Sequence, residues 1–136
     1  MYKRTFTVHL EDTDAARLVY YPRLFYWAQI SYEHFLKSKN LPLNDLLENA
    51  PYLLPIAACE GSFLAPLRFG DDIQAELTLQ RLGTTSFTLE HTFIKKNGTP
   101  TIAGKACVRH VCTDRSLNKM PLPEPLRSYL SSLEFN

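Results

Sequence analysis

The chain has 136 residues, with 15 Lys and Arg against 14 Asp and Glu and a formal net charge of +1. That length suits a single domain with its own core, and 45% hydrophobic with 21% charged residues excludes a disordered chain. Interspersed charge near neutrality leaves no basic footprint for nucleic acid or an anionic membrane. No apolar run is long enough to span a bilayer, and Met1 to Phe6 alternates instead of forming a signal-peptide core. A cytoplasmic protein with no nucleic-acid or membrane partner is expected.

Residues 2–11 read as a strand, with Tyr2, Phe6, Val8 and Leu10 on one parity and Lys3, Thr5, Thr7 and His9 on the other. A polar stretch from Glu11 to Arg17 interrupts it. From Pro22 the apolar period becomes helical: Leu24, Trp27, Ala28, Ser31 and Phe35 recur, and Phe25 and Ile30 widen the stripe. Pro22 suits a first helical turn, while Lys37, Lys39 and Asn40 before Pro42 supply the stop. A helix apolar around most of its circumference is a buried helix. Asn44 to Asn49 reads as a short capped helix, followed by a loop bounded by Pro51 and Pro55.

Four strands follow: Ile56 to Leu64, Asp71 to Leu82, Thr85 to Lys96 and Thr101 to Thr113. Ile73, Ala75, Leu77 and Leu79 share one parity, as do Phe87, Leu89, His91 and Phe93. Asn97-Gly98 carries the signal of a tight hairpin. Pro121, Pro123 and Pro125 punctuate a tail ending in a short helix, Leu126 to Leu133. One strand, a long buried helix and four strands on short connections make an α+β domain whose antiparallel sheet wraps the helix.

Cys59, Cys107 and Cys112 are odd in number and lie in apolar stretches, which predicts buried free thiols and no disulfide framework. Cys107, His110 and Cys112 form the nearest approach to a metal set. On a strand, however, Cys107 faces away from the other two, so no metal site is expected.

Phosphate-loop, dinucleotide, zinc-protease and serine-elbow signatures are absent. His9, His91 and His110 fall in strands and His34 near a helix end, places for surface or core histidines. One segment carries chemistry: Asp12-Thr13-Asp14 precedes Tyr21-Pro22 at a helix start. A helix N-terminus offers amides without internal partners and a dipole that favours negative charge, which suits a carbonyl oxygen gaining charge in acyl transfer. A carboxylate on the preceding loop is placed to attack that carbonyl or to activate water. The plainer alternative is that both acids only shape a turn.

The segment Asp12-Thr13-Asp14-Ala15-Ala16-Arg17-Leu18-Val19-Tyr20-Tyr21-Pro22 resembles the active-site stretch of hotdog-fold acyl-CoA thioesterases of the 4-hydroxybenzoyl-CoA thioesterase type. Phe63-Leu64-Ala65-Pro66 and Gly70-Asp71-Asp72-Ile73 resemble that family's pattern between its second and third strands. The resemblance covers nearly the whole chain. Within the family, His110-Val111-Cys112 and Pro121 to Pro125 look most like members acting on 1,4-dihydroxy-2-naphthoyl-CoA in phylloquinone synthesis.

The resemblance implies a five-stranded hotdog sheet around one long central helix, a thioester hydrolase without cofactor or metal, and an acyl-CoA substrate. It further implies a homodimer or homotetramer with sites between subunits. Asp14 falls on the catalytic carboxylate and Tyr21 on the position whose amide polarises the thioester carbonyl, while Asp12 matches a structural acid. Arg17 stands where the family usually has Gly; if that position needs φ > 0 the arginine is strained, and otherwise it is free to contact substrate. Tyr20 and Phe63 are candidate walls of an aryl pocket, with Phe25 and Phe87 falling more naturally to the core. For the coenzyme's phosphates Arg81 and Ser86 are candidates, then Arg68, Lys105 and Arg109. Glu33 and Glu60 are the runner-up carboxylates. A generic short-chain thioesterase and a non-catalytic acyl-CoA-binding module are the alternative readings.

Overall fold

The computed structural model describes residues 1–41 and 48–135. Strand β1 (Tyr2–Thr7) leads through a single 3-10 turn (Leu10–Asp12) to helix α1 (Pro22–Ser38). Strands β2 (Ile56–Phe63), β3 (Asp72–Leu82), β4 (Ser86–Lys95) and β5 (Thr101–Val111) follow, and helix α2 (Glu124–Ser131) ends the chain. The five strands form one sheet in the order β1-β3-β4-β5-β2, with every pairing antiparallel. Among the described residues no helix is long and apolar enough to cross a membrane.

Helix α1 spans 17 residues and begins at Pro22 as its sequence predicts. It ends where Asn40 turns to φ 57°, allowing Leu41 N–H to reach back to the Leu36 carbonyl at 2.9 Å. Its inner face buries Leu24, Trp27 and Ala28 against Ile73, Ala75, Phe93 and Ala103. One turn later Tyr32, Phe35 and Leu36 pack on Leu77, Leu79, Phe87 and Leu89, with Leu126 and Leu130 of α2 closing the far end. The alternation expected in β3 and β4 is the alternation seen: Ile73, Ala75, Leu77 and Leu79 are buried, and so are Phe87, Leu89, His91 and Phe93.

Several local expectations are corrected. Strand β1 stops at Thr7, and Leu10 is 70% exposed instead of sharing the inward parity. The cause is Asp12, whose Oδ2 accepts the His9 amide at 2.8 Å and curls the chain into the 3-10 turn. The connection of β4 to β5 is longer than a two-residue turn, with Gly98 at φ 73° and Asn97 Oδ1 accepting the Asp72 amide. Cys112 is buried, but Cys59 is exposed because β2 is an edge strand with every residue open. Ser86, a candidate for the coenzyme's phosphates, is buried. The last helix starts at Glu124 under Pro125, earlier than its expected range. Most of the short helix expected over 44–49 lies outside the described residues.

Candidate active site

Residues 12–20 form a small hairpin that presents one carboxylate. Asp14 N–H donates to the Leu18 carbonyl at 3.0 Å, and Tyr20 N–H donates to the Asp12 carbonyl at 2.8 Å. The bend is a three-residue loop closed by Arg17 N–H on the Asp14 carbonyl at 2.9 Å, with Arg17 at φ 63°. A turn followed by one left-handed residue is the geometry glycine serves best. The departure at Arg17 is therefore a real strain: a non-glycine side chain held in the left-handed region.

The two acids of this hairpin do different things. Asp12 is 3% exposed, and its Oδ1 accepts Arg23 Nε at 2.7 Å and Nη2 at 2.6 Å. Arg23 belongs to the first turn of α1, so Asp12 pins the loop to the helix start. Asp14 is exposed; its Oδ1 accepts the Ala16 amide at 2.8 Å, and its Oδ2 has no donor among the described residues. One oxygen holds the carboxylate in place while the other stays available for chemistry.

Helix α1 begins beside it. Arg23 N–H donates to the Tyr20 carbonyl and Leu24 N–H to the Tyr21 carbonyl, and Pro22 has no amide proton. The Tyr21 amide donates to no acceptor among the described residues, which leaves it as the open donor at the positive end of the helix. Val19 N–H donates to the Leu67 carbonyl at 2.9 Å and draws the segment after β2 alongside.

The result is a cleft of about 490 Å³ lined by Asp14, Leu18, Tyr20, Tyr21, Phe63 and Pro66 among others. Tyr20 and Tyr21 meet edge to face at 5.2 Å, and Tyr20, Phe63 and Leu64 remain 47%, 45% and 58% exposed. A free carboxylate oxygen, an open amide and aromatic walls thus share one apolar concavity.

The other expected residues lie elsewhere. Arg17 is exposed beyond the turn and does not line the cleft. Arg81 stands nine residues along β3 from Asp72, roughly 30 Å of strand. Ser86 pairs with Val111, whereas Phe63 pairs with Gly104, roughly 23 Å back along β5. Arg68 and Arg109 are exposed, and Lys105 is engaged with Glu90 at 3.3 Å. Glu33 is about 18 Å along α1 from Tyr21. Glu60 pairs with Cys107 on the face of the sheet away from the helix. Phe87 is fully buried core, and Phe25 is half-buried against Gly61. Cys107 and His110 point to opposite faces: Gln80 meets the thiol, while the imidazole stacks on Phe87 at 4.9 Å.

Sequence reasoning missed the part played by Arg23, the cation that holds Asp12. A basic residue directly after the helix-starting proline was the available signal.

Residues 8–130 match the family model of the thioesterase-like superfamily. A 1,4-dihydroxy-2-naphthoyl-CoA hydrolase from Microcystis aeruginosa is 35% identical, over 93% of this chain and 93% of its own. Among solved structures, a 1,4-dihydroxy-2-naphthoyl-CoA thioesterase from Synechocystis superposes with a TM-score of 0.89 at 26% identity, covering 96% of both chains. A gentisyl-coenzyme A thioesterase superposes with a TM-score of 0.81 at 30% identity, covering 93% of this chain and 99% of its own. The chain belongs to the thioesterase-like superfamily, and it is a thioesterase of the hotdog fold.

Proposed function

We propose that this thioesterase hydrolyses an aromatic acyl-CoA thioester to the free acid and coenzyme A, with 1,4-dihydroxy-2-naphthoyl-CoA as its substrate. The observation that carries the reading is the free Asp14 Oδ2 and the open Tyr21 amide on the walls of one aromatic-lined cleft. The thioester carbonyl accepts the Tyr21 hydrogen bond, and the helix end stabilises the oxyanion as the carbon becomes tetrahedral. Asp14 either attacks that carbon, giving an anhydride that water then cleaves, or removes a proton from the attacking water. In both routes the C–S bond breaks, the thiolate leaves as coenzyme A and water supplies the acid's second oxygen. The relatives acting on 1,4-dihydroxy-2-naphthoyl-CoA support the choice of acyl group.

Tyr20 and Phe63 form the aryl walls, and Arg17 contacts the polar part of the substrate outside the cleft. Arg81 and Ser86 are too far along the sheet to serve the cleft of their own chain. The part of Arg81 in holding the coenzyme's phosphates is toward a second copy in a homodimer or homotetramer, whereas Ser86 is buried and offers no surface for it. The exposed edge strand β2, with Ile56 and Phe63 open, is the surface available for that pairing.

Thiol release from 1,4-dihydroxy-2-naphthoyl-CoA, benzoyl-CoA and short aliphatic thioesters tests the reading. The naphthoyl ester is expected to give the highest kcat/KM. Binding without thiol release would show an acyl-CoA-binding module instead, and preference for an aliphatic ester would replace the aromatic assignment.

A further inference from the structure

A second concavity, of about 280 Å³, lies between β1 and α1 and is lined by Arg4, Phe6, Asp12, Arg23, Tyr26 and Trp27 among others. It shares no lining residue with the Asp14 cleft. Its volume is near the lower end of small-molecule sites, roughly 300 Å³. Along β1 the less exposed residues are Tyr2, Arg4 and Phe6, so strand parity carries the Arg4 side chain to the helix side of the sheet.

Within this concavity the charge left uncompensated is that of Arg4. Asp12 is met through one oxygen by Arg23 Nε at 2.7 Å and Nη2 at 2.6 Å. Glu11, beside His9 at 3.8 Å, is 75% exposed and screened by solvent. Arg4 forms no ion pair among the described residues. Its Nε donates to Ser31 Oγ at 3.4 Å, and its two Nη nitrogens meet no acceptor there. The guanidinium lies over the Phe6 ring at 4.6 Å and is half-buried, and that burial lowers its pKa, opposed by Tyr2 and Tyr26. A cation stripped of part of its water is costly until an anion completes it. Arg23 offers a second hand: it lies over Tyr26 at 4.2 Å, and its Nη1 has no acceptor among the described residues.

We propose that this concavity is a second ligand site, where Arg4 and Arg23 grip the carboxylate of an aromatic acid whose ring lies against Tyr26, Trp27 and Ile30. A carboxylate matches the fork of a guanidinium, and the aromatic walls suit a flat ring better than a hydrated phosphate. The acid released by the hydrolysis proposed above is such a molecule, and naming the ligand as the enzyme's own product rests on that reading. Two bonds join the concavity to the catalytic hairpin. The Asp12 carbonyl accepts Tyr20 N–H at 2.8 Å, and the Tyr20 carbonyl accepts Arg23 N–H at 2.9 Å. A ligand that draws on Arg23 weakens its hold on Asp12, so the product slows the enzyme from outside the cleft.

Trp27 is the single tryptophan of the chain and lies 4.9 Å from the Phe6 ring, so its fluorescence reports this site. The test titrates the wild type, Arg4→Gln and Arg4→Lys with benzoate, acetate, benzyl alcohol and inorganic phosphate at constant ionic strength. Benzoate is expected to change the Trp27 emission of the wild type, with the other three at least about tenfold weaker. Arg4→Gln should weaken benzoate by about tenfold or more. Arg4→Lys keeps the charge without the fork; it should fall between the two, and it carries the test if the glutamine variant fails to fold. No response to benzoate, equal affinity for acetate or phosphate, or a benzoate affinity unmoved in the folded variants overturns the site. In thiol-release assays benzoate should lower kcat with little change in KM, about tenfold less potently in Arg4→Gln. Purely competitive inhibition overturns the link to the hairpin. If the wild type binds benzoate in this way yet releases thiol from no ester, the hydrolytic reading fails and the site stands without it.

Discussion

Asp14 and Asp114 occupy the same position in two copies of one hairpin, and they differ in how many donors their carboxylates accept. Asp114 N–H donates to the Asn118 carbonyl at 2.8 Å, Leu117 N–H closes the bend on the Asp114 carbonyl, and Leu117 sits at φ 69°. Its Oδ1 accepts the Ser116 and Asn118 amides at 2.9 Å, and its Oδ2 accepts Asn118 Nδ2 at 3.2 Å. Asp14 makes the equivalent turn bond to Ala16, but its Oδ2 meets no donor among the described residues. The donors around Asp114, led by the Asn118 amide, hold its carboxyl below the usual range. Asp114→Asn is therefore expected to lower the Tm and to leave kcat unchanged, as thermal unfolding and thiol-release assays on one preparation will show.

Arg17→Gly should stabilise the protein. The arginine is held at φ 63°, and relief of a left-handed non-glycine residue is worth about 1 kcal/mol. Part of that gain is offset by the greater freedom of glycine in the unfolded chain. The expected result is a modest rise in the denaturant midpoint together with a higher KM for the thioester, since the guanidinium is lost. A fall in the midpoint would show that the side chain's own contacts outweigh the strain.

Asp12→Ala should damage the site without touching its chemistry. It leaves Arg23 without the acceptor it meets at 2.6 and 2.7 Å, and it frees the His9 amide. Arg23 keeps some access to water, with its side chain 28% exposed, so the cost is about 2 kcal/mol, below that of breaking a fully buried pair. That corresponds to a Tm drop of roughly 6 °C. Activity should fall through a loosened loop, and Asp12→Glu should recover part of both.

The buried histidines make stability depend on pH. Burial pushes His91 down to about 3, with His110 adding to the shift. Burial also lowers His110 to about 4, opposed by its hydrogen bond to the Leu54 carbonyl. Both folded values lie below the unfolded value near 6.5, so the unfolded chain binds more protons in between. Their contribution is complete above that value and is lost as pH falls toward 4 and then 3. Between pH 6 and 5 each histidine should approach a slope of about 1.4 kcal/mol per pH unit. Urea midpoints across this range should fall with acid, and fall less steeply in His91→Gln; parallel curves would contradict the assignment.

Residue pattern revealed the framework because burial imposes it. The inward parities of β3 and β4 and the start of α1 at Pro22 are consequences of one wrapped helix, and each was readable from spacing. Strand β2 was readable as a strand but not as an edge, since pairing partners are set by the sheet order and not by local sequence. That is why Cys59 emerged exposed. The end of β1 was hidden for a different reason: Leu10 keeps the strand's parity, but the Asp12 side chain captures the His9 amide and turns the backbone away. At the site, the nearness of Asp14 to the helix start followed from chain proximity. The division of labour between its acids depended on Arg23, a partner known only once the loop had folded back.

Paired single-turnover measurements of thiol release by Asp14→Asn and Asp114→Asn on 1,4-dihydroxy-2-naphthoyl-CoA test the central claim most directly, because both changes fall in the same turn. Asp14→Asn is expected to lose activity by about a thousandfold with its fold intact, as circular dichroism will report, while Asp114→Asn turns over at the wild-type rate. Near-normal turnover by a folded Asp14→Asn protein would contradict the account.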